Sequence, residues 1–148
     1  MADMPRIVVG VDGSEHARRA VRAALEEAGR RQADVQVVYA VAGSGMMPDP
    51  VSQPGPRREE ARSAGQKVLD EALTGVEEGA TTVERTVKIG NATRVLCEAA
   101  ADAELLVVGS RGLGGFHGLL VGSVTQQVIA HAPCPVLVVV PEDRRKGG

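Results

Sequence analysis

Apolar residues alternate along this chain between two rhythms: short continuous runs, and stripes at helical spacing. The first run is Arg-Ile-Val-Val-Gly-Val at Arg6 to Val11. Its nearly unbroken apolar character is that of a parallel strand covered on both faces. From Ser14 to Arg31 the apolar positions are Ala17, Ala20, Val21, Ala24, Leu25 and Ala28, the i, i+3, i+4, i+7 stripe of an amphipathic helix. Ser14 is the expected N-cap. A second run spans Val35 to Val41, and a stretch from Gly43 to Pro56 follows that mixes glycine, proline, serine and methionine without period. It reads as a mobile loop.

The helical stripe returns between Arg57 and Leu73 through Ala61, Ala64, Val68, Ala72 and Leu73, with Gly75 placed to end it. Thr82 to Ile89 alternates apolar with polar residues, as suits a strand at a sheet edge. Asn91 is positioned to cap a helix carrying Val95, Leu96, Ala99 and Ala100. A further run, Glu104 to Gly109, leads into a glycine-rich segment. A helix over Ser123 to His131 is expected to bury Val124, Val128 and Ile129, and Pro135 to Val140 supplies the last strand. The order β-α-β-α-β-α-β-α-β implies right-handed crossovers and a five-stranded parallel sheet, hence a doubly wound three-layer α/β sandwich with helices on both faces. The 148 residues fit a single domain spanning 1–148.

Composition narrows the function. Hydrophobic residues are 43% and charged residues 24%, an ordinary globular balance. There is no Trp, one Tyr and one Phe, and the formal charge is -2, so neither the aromatic platforms nor the basic groove of a nucleic-acid binder is present. Arg144, Arg145 and Lys146 beside two glycines read as a solvated tail. No run approaches the roughly 20 apolar residues of a membrane span, and Met1 to Pro5 lacks the pattern of a secretion signal. A cytoplasmic protein without membrane contact is expected. Cys97 and Cys134 have no metal-ligand spacing, and in a reducing compartment both read as buried small hydrophobes. His16, His117 and His131 share no helical face, and His117 reads as a solvent-exposed loop residue. No metal site is expected from these side chains.

Ligands of open parallel sheets bind beyond the carboxyl ends of the strands. Two glycine-bearing segments are expected there, Gly10-Val11-Asp12-Gly13-Ser14 and the stretch from Gly109 to Gly118 that reaches Gly122-Ser123 at a helix start. Glycine lets amides approach an anion, and a helix N-terminus adds unpaired N–H groups and positive potential. Phosphate fits such a place, with the Ser123 hydroxyl and the Arg111 guanidinium as additional donors. Asp12 has a second reading, a turn carboxylate before glycine.

Gly109, two residues, Gly112, nine residues, then Gly122-Ser123 matches the nucleotide-binding signature of the universal stress protein family. The chain resembles that family elsewhere too. Val-Asp-Gly-Ser follows the first strand, the second strand ends near Val41, and Gly-Ser-Val-Thr is followed by Ala-Pro-Cys-Pro-Val-Leu-Val-Val. The resemblance implies the adenine nucleotide alpha hydrolase type of fold, with strand order 3-2-1-4-5. It places Asp12 and Val41 at the adenine, with the backbone around Val11 and Val108 completing the base pocket. Gly109, Arg111 and Gly112 would approach the ribose and phosphates, and Gly122, Ser123 and Val124 would donate to the terminal phosphates. ATP, accompanied by Mg2+ in some relatives, is the ligand it implies.

No Gly-Lys-Ser or Gly-Lys-Thr triplet of a Walker loop occurs, and no paired-carboxylate or Ser-His-Asp arrangement is visible. Binding without rapid turnover is therefore expected, as in a regulatory module. A slow ATPase or phosphotransfer enzyme and a structural dimer without nucleotide are the alternatives. The aliphatic strand Val136 to Val140, opening after Pro135, would leave a sheet edge open to pairing with a second copy, and homodimers of this kind are common in the family.

Overall fold

A computed structural model describes residues 4–41, 55–110 and 121–141. The elements are β1 (Arg6–Val11), α1 (Ala17–Arg31), β2 (Asp34–Val41), α2 (Gly55–Leu73), β3 (Val83–Ile89), α3 (Ala92–Ala99), β4 (Leu105–Gly109), α4 (Ser123–His131) and β5 (Val136–Val139). All four strand pairings are parallel and the order is β3-β2-β1-β4-β5. The expected sheet and its order are both present. β3 lies at one edge, with Glu84, Arg85 and Lys88 exposed, and β5 lies at the other.

The period of two in the strands divides the core. Ile7, Val9 and Val11 of β1 join Val35, Val37 and Val107 beneath α1 and α2. Val8, Val38, Leu106 and Val108 point the other way, beneath α3 and α4. Burial of aliphatic surface on both faces drives this layering, since each fully buried Val or Leu side chain contributes roughly 1.5–3 kcal/mol. Tyr39 is the one aromatic ring packed against the described core, and elsewhere close packing comes from missing side chains. A Cβ on Gly10 would lie 2.8 Å from Leu96 Cδ1, and one on Gly65 would lie 2.6 Å from Val87 Cγ1. The helices sit that near to the sheet. Arg6 adds a polar tie, donating from Nη2 to the Ala99 carbonyl at the end of α3 (2.9 Å).

Several local expectations change. α1 starts at Ala17, not Ser14; its N-cap position is His16, without a side-chain bond. The reason is a turn that uses Ser14 otherwise: its amide donates to Asp12 Oδ1 (2.9 Å) and its carbonyl accepts from Ala17 N–H (3.1 Å). α2 starts at Gly55, so the last two residues of the expected loop are helical, while 42–54 lie outside the described residues. The buried face of α2 is Gly65, Leu69, Ala72 and Leu73, and Ala64 is exposed. The close fit at Gly65 turns the helix to that side. α4 also sits differently. Val128 is buried as expected, but Val124 and Ile129 are 41% and 52% exposed, and Thr125 is buried beside Val128. Asn91 caps α3 as expected, its Oδ1 accepting from Arg94 N–H at 3.1 Å. Cys97 and Cys134 are half-buried rather than buried. Among the described residues no helix is long and apolar enough to cross a membrane.

The Gly65 fit yields a test. Gly65→Ala should lower stability by about 1 kcal/mol despite alanine's better helix propensity, because the stiff Val87 side chain must move. In a Val87→Ala background that loss should vanish, as read by urea unfolding of the four variants of the cycle.

Candidate functional site

The carboxyl end of the sheet assembles from the strand ends inward. β1 pairs with β2 as far as Val11↔Tyr39, and with β4 through Val9↔Val107. Carrying that register on sets Val11 level with Gly109, while Val41 extends past both on β2. Crossovers from β1 run to the face of α1, and those from β4 to the face of α4. Adjacent strand ends therefore send their chains to opposite sides. A notch between them is the usual ligand position of such sheets.

On the β1 side, Asp12 follows the last strand residue and Gly13 has φ 85°, a left-handed conformation that favours glycine. The Asp12 carboxylate holds the turn through the Ser14 amide. This is the second of the two readings of Asp12, a turn carboxylate before glycine. Val41 ends β2, its carbonyl accepting from Gly90 N–H at 2.9 Å. A cleft of about 280 Å³ nearby, lined by Gly13, Ser14, Arg18, Val68 and Glu71 among others, includes none of the expected nucleotide residues.

On the β4 side, Val108 is buried and Gly109 ends the strand. Three bonds then fix the start of α4. The Ser110 amide donates to the Val139 carbonyl (2.9 Å), Gly122 N–H donates to the Ser110 carbonyl (2.6 Å), and Thr125 Oγ1 donates to the Gly109 carbonyl (2.6 Å). Gly122 is thus a clamp and N-cap residue whose amide is already engaged. Its φ of -70° and ψ of 165° are open to any residue, so the backbone does not demand glycine there. Ser123 and Val124 occupy the first turn, where amides have no acceptor within the helix. That turn carries no acidic residue and no side-chain cap. Positive helix-end potential is left unopposed by the helix's own side chains.

Ser110 completes this end. It is fully buried, and its Oγ has no hydrogen-bond partner. A buried hydroxyl without a partner costs about 1–3 kcal/mol, so an oxygen-bearing ligand reaching it would remove a penalty. The residues present therefore fit an anionic group with oxygen acceptors. Arg111, Gly112 and His117 lie outside the described residues, as does the tail with Arg144, Arg145 and Lys146. Among the described residues no group of three His, Cys, Asp or Glu side chains converges as a metal site.

Sequence reasoning singled out Val11, Asp12, Val41, Val108, Gly109, Gly122, Ser123 and Val124, and the fold brings all of them to this end of the sheet. It missed Ser110 and Thr125. Thr125 was legible only as a polar residue in an otherwise apolar helix face. What allows its burial is the Gly109 carbonyl, a partner no linear pattern displays.

A family model described as "Universal stress protein family" matches residues 4–140. A universal stress protein of Mycolicibacterium smegmatis is 38% identical over 137 residues, covering 91% of this chain and 45% of that protein. One from Thermus aquaticus is 36% identical over 140 residues, covering 90% of this chain and 96% of its own. The chain thus spans under half the length of its mycobacterial relative and nearly all of the Thermus one. Among solved structures, a universal stress protein in complex with cAMP is 29% identical, with a TM-score of 0.63 and coverage of 94% and 98% of the two chains. Another, from Archaeoglobus fulgidus in complex with dAMP, is 25% identical, with a TM-score of 0.67 and coverage of 94% and 99%.

Thr125→Val, which keeps the shape and removes the donor, should lower stability by about 1–2 kcal/mol by leaving the Gly109 carbonyl without its partner. Thr125→Ser should retain most of that stability. Chemical unfolding of both variants checks the pair.

Proposed function

The chain belongs to the universal stress protein family, and from that premise we propose that it is an ATP-binding regulatory module of the stress response, working in the cytoplasm as a single domain and as a homodimer. One observation carries the nucleotide reading. At the β1/β4 switch point, the first turn of α4 carries neither an acidic residue nor a side-chain cap, and Ser110, next to the strand end, holds a buried hydroxyl that lacks a partner. Two relatives of the same fold hold adenine nucleotides, cAMP in one and dAMP in the other.

In this reading adenine lies against Val41 and the strand ends at Val11 and Val108, with Asp12 at its polar edge. Gly109, Arg111 and Gly112 line the ribose and the inner phosphates. Ser123 and Val124 donate main-chain bonds to the terminal phosphates, the Ser123 hydroxyl adds another, and Gly122 keeps that approach clear of a side chain. Mg2+ would be carried in on phosphate oxygens and water, the habit of that ion with nucleotides. The homodimer is supported by β5. Its four residues are half-buried, β4 is its partner among the described residues, and Val124 and Ile129 stand exposed on the neighbouring α4.

Titration calorimetry with ATP on the full chain tests the reading, with ADP, AMP and cAMP as parallel arms and released ADP as the measure of turnover. ATP at about 100 times its Kd should raise folding stability by roughly 2.7 kcal/mol. Gly122→Asp separates binding from folding. Aspartate is a good N-cap, so the unliganded variant should be at least as stable as the parent, yet its carboxylate beside the phosphates should weaken ATP at least about tenfold. Saturating titrations that give neither heat nor thermal shift with any of the four nucleotides would overturn the proposal.

A further inference from the structure

A second opening lies in the layer of α1 and α2, across the sheet from α4. It is the cleft of about 280 Å³ beside the Asp12 turn, and small residues make room for it. Gly13 has no side chain there. Ala17 at the start of α1 and Ala72 near the end of α2 line it with one methyl group each, both buried, and the half-buried Val68 adds a further apolar wall. Arg18 ties the two helices together at the opening, its Nε donating to the Glu71 main-chain carbonyl at 3.0 Å. The volume lies just below the roughly 300 Å³ at which pockets for drug-sized ligands begin, so the cleft suits a small metabolite.

Its polar lining carries both signs of charge. Arg18 brings a guanidinium, and Glu15 and Glu71 bring carboxylates. Among the described residues none of the three takes part in an ion pair. Unpaired opposite charges around one small opening suit a ligand that bears both. Ser14 supplies a further group, a buried hydroxyl with no hydrogen-bond partner among the described residues. Its main chain is already used, the amide by Asp12 and the carbonyl by Ala17, so the side chain alone is left for a ligand. A buried hydroxyl without a partner is unfavourable, and a ligand oxygen would relieve it.

We propose that this cleft binds a small aliphatic α-amino acid in its zwitterionic form. The ligand carboxylate accepts from the Arg18 guanidinium, whose fork geometry suits it, and from the Ser14 hydroxyl. The ammonium donates to the Glu71 carboxylate, and Glu15 adds negative potential on the same side chain-lined rim. The aliphatic part rests against Ala17, Val68 and Ala72. No covalent step is involved. The site does not depend on the nucleotide reading, and each can fail alone.

The test is amide NMR of the isotope-labelled full chain during titration with L-valine and with its two halves: isovalerate, which lacks the ammonium, and isobutylamine, which lacks the carboxylate. Valine should move the amides of Gly13, Ser14, Arg18 and Ala72 along one saturable curve. Each half should bind at least about tenfold more weakly, as the loss of a charged hydrogen bond requires. Ser14→Ala should weaken valine at least about fivefold and yet melt no lower than the parent, because the hydroxyl it removes has no partner in the free chain. In Glu71→Gln the preference for valine over isovalerate should be lost. If either variant fails to fold, the three titrations of the parent chain still decide. Valine that gives no saturable shift, shifts confined to amides away from the cleft, or isovalerate that binds as tightly as valine would each overturn the proposal.

Discussion

Everything at the carboxyl end of this sheet depends on one constraint, the reversal of crossover direction between β1 and β4. A parallel sheet must be covered on both faces, so the helices divide, α1 and α2 against one side and α3 and α4 against the other. The strands where the division occurs are adjacent and bonded. Their outgoing chains cannot lie against each other, because they leave toward opposite layers. The opening between them is a consequence of connectivity, and residues of modest chemistry become a site by being delivered to it.

Delivery is only half of the requirement, since an amide donor must also be held still. The chain from β5 to α4 supplies this through hydrogen bonds in series: Ser110 to Val139, Gly122 to Ser110, and Thr125 to Gly109. The first ties the end of β4 to β5, and the other two tie the start of α4 to the end of β4. Arg19 adds a support from the opposite layer, its Nε donating to the Val140 carbonyl at 2.7 Å. The helix end thus takes its position from the sheet. Ser110 stands inside this framework with its main chain fully used and its hydroxyl alone unpartnered.

The layering was readable because the apolar runs are long relative to their interruptions, and the strand order came from the family resemblance. Elements decided by period, such as α1 beyond Ala17, emerged with the correct buried face. Errors gathered where a hydrogen bond outranked hydrophobicity. Ser14 is drawn into the Asp12 turn, which delays α1, and Thr125 finds the Gly109 carbonyl, which rotates Val124 and Ile129 outward.

A site built from main-chain amides has a consequence for what it can distinguish. Peptide N–H groups at a helix end respond to negative charge and to oxygen position, and they carry no chemical label that separates one phosphate ester from another. On the proposed reading, the phosphate end therefore contributes affinity, and selectivity has to arise at the other end of the notch. There the described surfaces are Val41, the edge of β1 at Val11 and the turn at Asp12. Because Asp12 is committed to its turn through Ser14, it offers a carboxylate fixed in place rather than one that swings to meet a ligand. A fixed acceptor discriminates by geometry, and a rigid base edge presents that geometry better than a flexible phosphate chain. Recognition of the base, with tolerance toward the number of phosphates, is the behaviour this division of labour favours.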